Sequence, residues 1–186
     1  MAATLIRPSV LADLPAITDI YAWNAENGTG TFELEGPTRE EMSRRRQDVL
    51  SKGLPWLIAE SEGQVLGFAY ANHFRPRLAF RFALEDSVYL APTARGRGIG
   101  TLLLAELISR CTALGARQMF AVIGDSANLG SIGVHRRCGF EDVGVMRAAG
   151  WKFDRWLDVV LMQRALGLGQ LAAPAEYAPV TTGEGA

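Results

Sequence analysis

The sequence of 186 residues is poor in cysteine and histidine, with two of each. The cysteines and histidines form no cluster with metal-ligand spacing, so no structural or catalytic metal site is expected. Cys111 and Cys138 both fall in predicted helices, which suits buried reduced thiols better than a disulfide framework. The sparse cysteine content therefore favours a cytoplasmic location.

The chain also lacks an excess of charge of either sign, since 19 basic and 20 acidic residues give a net charge of −1. This balance offers no electrostatic basis for binding nucleic acid or a membrane surface. No window approaches about 18 consecutive apolar residues, and the N-terminus has no basic segment before an apolar run. We therefore expect no nucleic-acid partner, no membrane-spanning helix and no signal peptide.

The composition is that of a globular protein, with 48% apolar and 21% charged residues. The length fits one domain with a sizeable core. We expect that domain over residues 1–165. From residue 166 onward Gly, Ala and Pro dominate, which predicts an extended or disordered C-terminal tail over residues 166–186.

Hydrophobic periodicity and punctuating residues predict a mixed α/β order. Strands are expected at residues 4–7, 55–60, 65–72, 82–90, 118–123, 141–147 and 157–163, with residues 148–156 joining the last two. Helices are expected after Asp13, from the capping box at Thr38 to Gly53, from the glycine-rich turn to Gly115, and over residues 127–138. The glycine-led helix should link two parallel strands by a right-handed crossover.

A glycine-rich turn, Arg95-Gly96-Arg97-Gly98-Ile99-Gly100, stands between a strand and that helix. Glycine lets a backbone approach a ligand closely, and a helix N-terminus favours anions. The dinucleotide fingerprint and the P-loop both fit this spacing badly. A turn that only starts the helix, without a ligand, is the alternative interpretation.

The pattern Arg-x-x-Gly-x-Gly resembles the pyrophosphate-binding signature of the GNAT acetyltransferases. The resemblance implies an α/β fold with a central mixed, mostly antiparallel sheet, flanked by helices and splayed at a parallel strand pair. It implies acetyl-CoA as co-substrate and no metal. Its coenzyme contacts would be Val88, Tyr89, Leu90, Arg95, Gly96, Arg97, Gly98, Ile99, Gly100, Thr101 and Asn128, with a backbone amide between residues 88 and 90 as oxyanion donor.

Acetyl transfer to an amine needs an uncharged nucleophile, because an alkylammonium is almost wholly protonated at neutral pH. Glu85 follows an apolar stretch, where partial desolvation would raise a carboxyl pKa towards a useful value. His135 is seven residues after Asn128, so both project from one helix face. The alternatives are a solvated or arginine-paired Glu85 and a structural His135.

A closer resemblance, to the phosphinothricin acetyltransferase group, runs from about Ile6 to Arg164. It rests on Thr31-Phe32-Glu33, the Pro-Trp-Leu-Ile-Ala-Glu strand, Glu85-Asp-Ser-Val-Tyr, Ala121-Val-Ile-Gly, His135 with Gly139-Phe140, and Ala149-Gly150-x-Lys152 with Trp156-x-Asp158. In that group the residues matching Glu85 and His135 are the catalytic pair. The acceptors are small amino acids such as phosphinothricin and methionine sulfoximine or sulfone, acetylated by direct transfer.

The same resemblance implies a substrate site and a homodimer. Phe32 and Glu33 would line the acceptor pocket, and Arg75, Arg77 and Arg81 are candidates for the acceptor carboxylate. Exposed aromatic residues often mark an interface, and the candidates are Trp151, Phe153 and Trp156. Asp154 departs from the group, because glycine is common at that place in the turn.

Two other functions are compatible with the fold. An acetyltransferase for a protein or peptide amine would need an open groove, whereas residues 24–36 and the arginine-rich loop look more like a lid over a small pocket. A non-catalytic acyl-CoA-binding module would not need Glu85, Asn128 and His135 together.

Overall fold

A computed structural model of the chain describes residues 3–174. The strands are β1 (Leu5–Pro8), β2 (Trp56–Ser61), β3 (Gln64–His73), β4 (Ala83–Leu90), β5 (Gln118–Gly124), β6 (Glu141–Lys152) and β7 (Arg155–Ala165). The helices are α1 (Leu14–Asn27), α2 (Arg39–Ser51), α3 (Ile99–Ala113) and α4 (Leu129–Arg137). Most agree with the predicted elements to within two residues at each end, the usual uncertainty of helix and strand boundaries.

The strands form one sheet of seven in the order β1-β2-β3-β4-β5-β7-β6, antiparallel throughout except for the parallel pair β4 and β5. The predicted mixed, mostly antiparallel sheet is therefore confirmed. β4 and β5 are paired only from Ala83 to Glu85, against Gln118 to Phe120. Beyond Glu85 the two strands separate, which is the predicted splay.

The two faces of the sheet carry different helices. Successive side chains of a strand point to opposite faces. The Tyr89 ring lies 4.8 Å from that of Tyr21 on α1, whereas the next residue, Leu90, packs towards Gly100 on α3. The predicted apolar stripe of α3 faces the core, with Leu103, Leu104, Leu107 and Cys111 fully buried.

The C-terminal hairpin differs from its prediction. The expected long connection over residues 148–156 is wrong: β6 continues to Lys152, β7 begins at Arg155, and Trp151 pairs with Trp156 across the hairpin. The turn consists of Phe153 and Asp154, whose φ angles are 53° and 54°. Asp tolerates this left-handed conformation, so the departure from glycine does not open the turn. Because β6 is exposed along most of its length, no alternation of buried and exposed residues extends the predicted strand beyond residue 147.

The segment after β7 begins with a core residue. Leu166 is buried, and its amide donates to the carbonyl of Arg117 over 2.9 Å. Residues 175–186 of the predicted tail lie outside the described residues, and the boundary at residue 165 stays a prediction. Within residues 3–174 no helix is long and apolar enough to cross a membrane.

Candidate active site

A cavity of about 870 Å³ opens where β4 and β5 separate. Its walls come from the free half of β4, the outer end of β5, the start of α4 and the loop after α1. The glycine-rich turn contributes on the β4 side of the opening, and Phe153 and Arg155 of the C-terminal hairpin contribute on the β5 side. The same splay that breaks the sheet therefore creates a large concavity.

At the end near α3, the backbone conformation requires glycine. Gly96 and Gly98 have φ angles of 73° and 78°, and Gly98 caps α3. A Cβ on either residue would meet no atom within 4 Å, so open space lies in front of both. A positively polarised helix terminus facing open space, beside glycines that no side chain covers, fits a pyrophosphate group.

Arg95 is held beside this turn by a residue that the sequence did not single out. Its Nη2 donates to Asn24 Oδ1 over 2.8 Å, and its guanidinium lies 4.5 Å from the centre of the Trp23 ring. Asn24 Nδ2 in turn donates to the carbonyl of Leu90 over 3.1 Å. Asn24 thus joins α1, the end of β4 and the turn, a role with no local sequence signal.

Most of the predicted coenzyme contacts line the cavity, namely Val88, Tyr89, Leu90, Arg95, Gly96, Gly100 and Asn128. Arg97, Gly98, Ile99 and Thr101 are not among its lining residues, and the side chain of Ile99 is buried in the core. The Asn128 side chain caps α4 by accepting from the Ser131 amide over 3.2 Å.

Glu85 lines the cavity at the point where the splay begins. Burial raises its pKa above the ordinary value for glutamate, the positive charge of Arg75 opposes the rise, and the negative charge of Asp86 adds to it. A half-buried carboxyl with a raised pKa, facing a cavity, has the properties of a general base.

His135 also lines the cavity, but it lies on the opposite face of β4 from Glu85. Its Nε2 is 2.9 Å from Asp86 Oδ2, and Asp86 follows Glu85 directly in the strand. Its Nδ1 is 2.7 Å from the carbonyl oxygen of Ser131. Both ring nitrogens therefore face acceptors, an arrangement that suits the protonated ring.

The pKa of His135 reflects this pairing. Burial of the ring opposes protonation, but the charge of Asp86 and the hydrogen bonds to Asp86 and Ser131 outweigh it, so the pKa is raised. Asp86 is a site residue that sequence reasoning missed. The one sequence feature that pointed to Asp86 was its acidic side chain in an otherwise apolar strand, and the neighbouring Glu85 was the stronger candidate.

Two residues of the loop after α1 were predicted to line the acceptor pocket, and the structure places them differently. Phe32 lines the cavity, whereas Glu33 does not. The Glu33 carboxylate accepts from Tyr21 Oη over 2.9 Å and pairs with Arg45 Nη1 over 2.7 Å. Its side chain thus connects α1 and α2.

None of the three predicted loop arginines is among the cavity-lining residues of this chain. Arg75 and Arg81 lie over the rings of Phe74 and Phe82, at 4.2 Å and 4.4 Å, and Arg77 is exposed. Arg155 lines the cavity instead, with its Nη2 2.6 Å from Asp125 Oδ2. Arg155 could be placed only from the hairpin register, which the sequence did not predict.

A sheet splayed at one parallel pair, with a glycine-led helix N-terminus at the opening, defines an acetyltransferase architecture. The chain belongs to the acetyltransferase (GNAT) family, whose model matches residues 17–140. Within residues 3–174, no three His, Cys, Asp or Glu side chains are grouped so as to hold a metal ion.

Proteins that are similar in sequence and structure indicate which kind of acetyltransferase the chain resembles. The chain is 52% identical to the phosphinothricin N-acetyltransferase of Alcaligenes faecalis, over 87% of this chain and 82% of the relative. It is 41% identical to the L-methionine sulfoximine/L-methionine sulfone acetyltransferase of Pseudomonas paraeruginosa, over 85% and 92%. The structure matches a GNAT superfamily phosphinothricin acetyltransferase from Sinorhizobium meliloti in complex with AcCoA, with a TM-score of 0.92, 49% identity and coverage of 96% and 97%. The predictions of the family, the fold and an acetyl-CoA-dependent N-acetyltransferase are confirmed.

Proposed function

We propose that the chain transfers an acetyl group from acetyl-CoA to the amino group of a small amino acid of the phosphinothricin, methionine sulfoximine or methionine sulfone type. The observation that carries this proposal is the position of Glu85. Its half-buried carboxyl lines the cavity at the point where β4 and β5 begin to separate. The substrates named for the relatives that are 52% and 41% identical support the acceptor class.

Acetyl-CoA supplies the acetyl group as a thioester, activated for attack by an amine. Glu85 accepts a proton from the acceptor ammonium through a water molecule, which frees the nitrogen lone pair. A C–N bond to the acetyl carbon then forms as the C–S bond breaks; the nitrogen loses a second proton to become an amide, and the departing thiolate takes up one proton, so this step is balanced. The raised pKa of Glu85 suits this exchange, because a stronger base removes an ammonium proton more readily.

The free edge of β4 supports the proposed oxyanion donor. The amide of Ala91 donates to Leu66 on β3, and amide directions alternate along a strand. The amides of Val88 and Leu90 therefore point away from β3, into the splay. Such preorganised donors stabilise negative charge that develops on a carbonyl oxygen.

We propose that His135 assists by its charge. Its Nε2 and Nδ1 are both held by acceptors, so its ring offers no free base to the acceptor amine. When protonated, the ring forms a buried ion pair with Asp86, which also lines the cavity, so the pair adds a positive pole but little net charge to the wall. The positive pole of this pair favours the anionic forms that arise on the substrates during transfer.

The remaining acceptor contacts stay predictions. Phe32 faces the cavity, whereas Glu33, Arg75, Arg77 and Arg81 are proposed for the substrate site on the resemblance alone. Within the chain, Arg155 is the cationic side chain at the Phe32 end of the cavity.

We further propose that the enzyme is a cytoplasmic homodimer. β6 is an edge strand, and Trp151, Phe153 and Trp156 are 54%, 50% and 61% exposed on its hairpin. An exposed sheet edge with clustered aromatic residues is typical of an interface between subunits. Cys111 and Cys138 are free and buried, which agrees with a reducing compartment.

The experiment is thiol release from acetyl-CoA with phosphinothricin, methionine sulfoximine, methionine sulfone, ordinary amino acids and a short peptide as acceptors. We expect saturable release with the first three and much weaker release with the peptide. Release with the peptide alone would contradict the small-acceptor proposal and favour a protein acetyltransferase. Light scattering on the same sample measures the molar mass, and a monomer would contradict the dimer.

A further inference from the structure

Lys152, the last residue of β6, is buried at 2% exposure and points into its own chain. Its Nζ donates to three backbone carbonyls, those of Ala25 at 2.5 Å, Thr31 at 2.9 Å and Glu33 at 2.8 Å. An ammonium group has three N–H donors, so all three are used. One side chain thus joins segments about 120 residues apart in the sequence.

The partners explain why a charge is buried there. Ala25 lies in the last turn of α1, where carbonyls lack partners within the helix. The carbonyls of Thr31 and Glu33 belong to a loop without strand pairing. Burial lowers the pKa of Lys152, and the negative charge of Glu33 opposes that change. Lys152 therefore satisfies three carbonyls, at the cost of desolvating its own charge.

The loop of residues 29–33 packs closely against the sheet at two further points. A Cβ on Gly150 would lie 2.3 Å from Phe32 Cδ1, and a Cβ on Gly124 would lie 2.1 Å from the carbonyl oxygen of Thr29. At both positions only glycine leaves room for the loop. The ring of Phe32 is thus set between the hairpin and the cavity.

The contacts of the loop with Lys152 and the sheet determine which side chains face the substrate. Thr29, Thr31 and Phe32 of the loop line the cavity, as do Phe153 and Arg155 immediately after Lys152. No residue of the glycine-rich turn takes part in the Lys152 contacts. The loop and the hairpin turn therefore form one wall on the β5 side of the cavity, across the splay from the glycine-rich turn.

We infer that Lys152 is a positioning residue for the acceptor, because it fixes residues 29–33 against the hairpin and so sets the place of Phe32 in the cavity wall. The nature of the acceptor rests on the proposed function. The positioning of the loop does not. Since small displacements of a bound substrate lower the rate steeply, a loosened loop should affect acceptor use far more than acetyl-CoA binding.

The test compares Lys152→Met with Arg147→Met in the full chain. Both variants remove one cation from β6, but Arg147 lies on the surface, 3.1 Å from Asp158, and does not contact the loop. For Lys152→Met we expect the acceptor KM to rise roughly tenfold or more, with the Kd of acetyl-CoA from calorimetry changed less than about twofold. Arg147→Met should alter neither.

Hydrogen exchange gives a readout that needs no acceptor. The amides of residues 29–33 should exchange faster in Lys152→Met and as in wild type in Arg147→Met. If no amino acid is acetylated by wild type, the proposed function fails while this measurement still decides the positioning role. Unchanged exchange, or an acetyl-CoA Kd that rises as much as the acceptor KM, would overturn the inference.

A milder variant covers the case in which Lys152→Met does not fold. Lys152→Arg keeps the charge, but a planar guanidinium cannot direct three donors to three converging carbonyls. We expect the same selective rise in acceptor KM and faster loop exchange, both smaller than in Lys152→Met. Wild-type acceptor KM and loop exchange in a folded Lys152→Arg variant would count against the need for this geometry.

Discussion

The two ends of the cavity are built in different ways. The end proposed for the coenzyme comes largely from one continuous stretch, the free half of β4, the glycine-rich turn and the start of α3. The end proposed for the acceptor is assembled from the loop after α1, the outer end of β5 and the C-terminal hairpin, which are far apart in the sequence. One end can therefore be read from a motif, whereas the other depends on how distant segments meet.

The difference extends to what each end tolerates. A Cβ at Gly96 or Gly98 would meet open space, so only the positive φ angle restricts these residues. A Cβ at Gly124 or Gly150 would collide with the loop. Substitutions at the coenzyme end should strain the backbone, and those at the acceptor end should displace a neighbour.

The largest effect is expected for Glu85→Gln. This variant tests whether Glu85 is the base for the reaction between the molecules bound at the two ends. We expect kcat to fall roughly 10²- to 10⁴-fold, the usual contribution of general acid–base catalysis. The Kd of acetyl-CoA should stay near the wild-type value, because glutamine keeps the side-chain volume. A loss confined to acetyl-CoA binding would place Glu85 at the coenzyme end instead.

Wild type should also show the raised pKa of Glu85 in its pH profile. The base acts when deprotonated, so kcat/KM should fall as the pH drops through that pKa, at a higher pH than for an ordinary glutamate near 4.3. In Glu85→Gln this acidic limb should vanish.

A smaller and more selective effect is expected for Gly98→Ala at the coenzyme end. Holding a non-glycine residue at a φ angle of 78° costs about 1–2 kcal/mol, which is roughly five- to thirtyfold in affinity if the turn relaxes away from its binding conformation. The acetyl-CoA Kd should rise while the acceptor KM stays within about twofold. Equal changes in both constants would show that the two ends are not separable.

The smallest effect is expected for substitution of His135, which connects β4 to α4. This effect is a change in the stability of the folded protein. Its pKa is raised in the folded protein, so its charged pairing with Asp86 contributes stability below the unfolded-state pKa of about 6.5. That contribution is lost as the pH rises through the folded pKa. Melting curves at about pH 6 and about pH 9 should therefore show His135→Gln losing more Tm at the lower pH. An equal loss at both would mean that the charge of the ring adds nothing.

The fold could be predicted from the sequence wherever an element depends only on residues close to it in the chain. The capping box at Thr38, the apolar stripe of α3 and the glycine at its start each depend on neighbouring residues, and each element was predicted. The last two strands were also predicted, but their continuation to a tight turn was not, because β6 is exposed on both faces and its turn uses Asp154 in a left-handed conformation. Its aromatic residues suggested a turn where the structure has paired strands.

The sequence by itself determined the elements, the glycine-led helix terminus and a carboxyl at the strand end, since these follow from neighbouring residues and from the strand and helix periods. Only the tertiary structure decided the pairing of Asp86 with His135, the support of Arg95 by Asn24, and the attachment of Lys152 to the loop of Phe32. Each of these contacts joins residues 49 to 121 positions apart. Their geometry depends on the splay of β4 from β5 and on the register of the last hairpin, which no local pattern specifies.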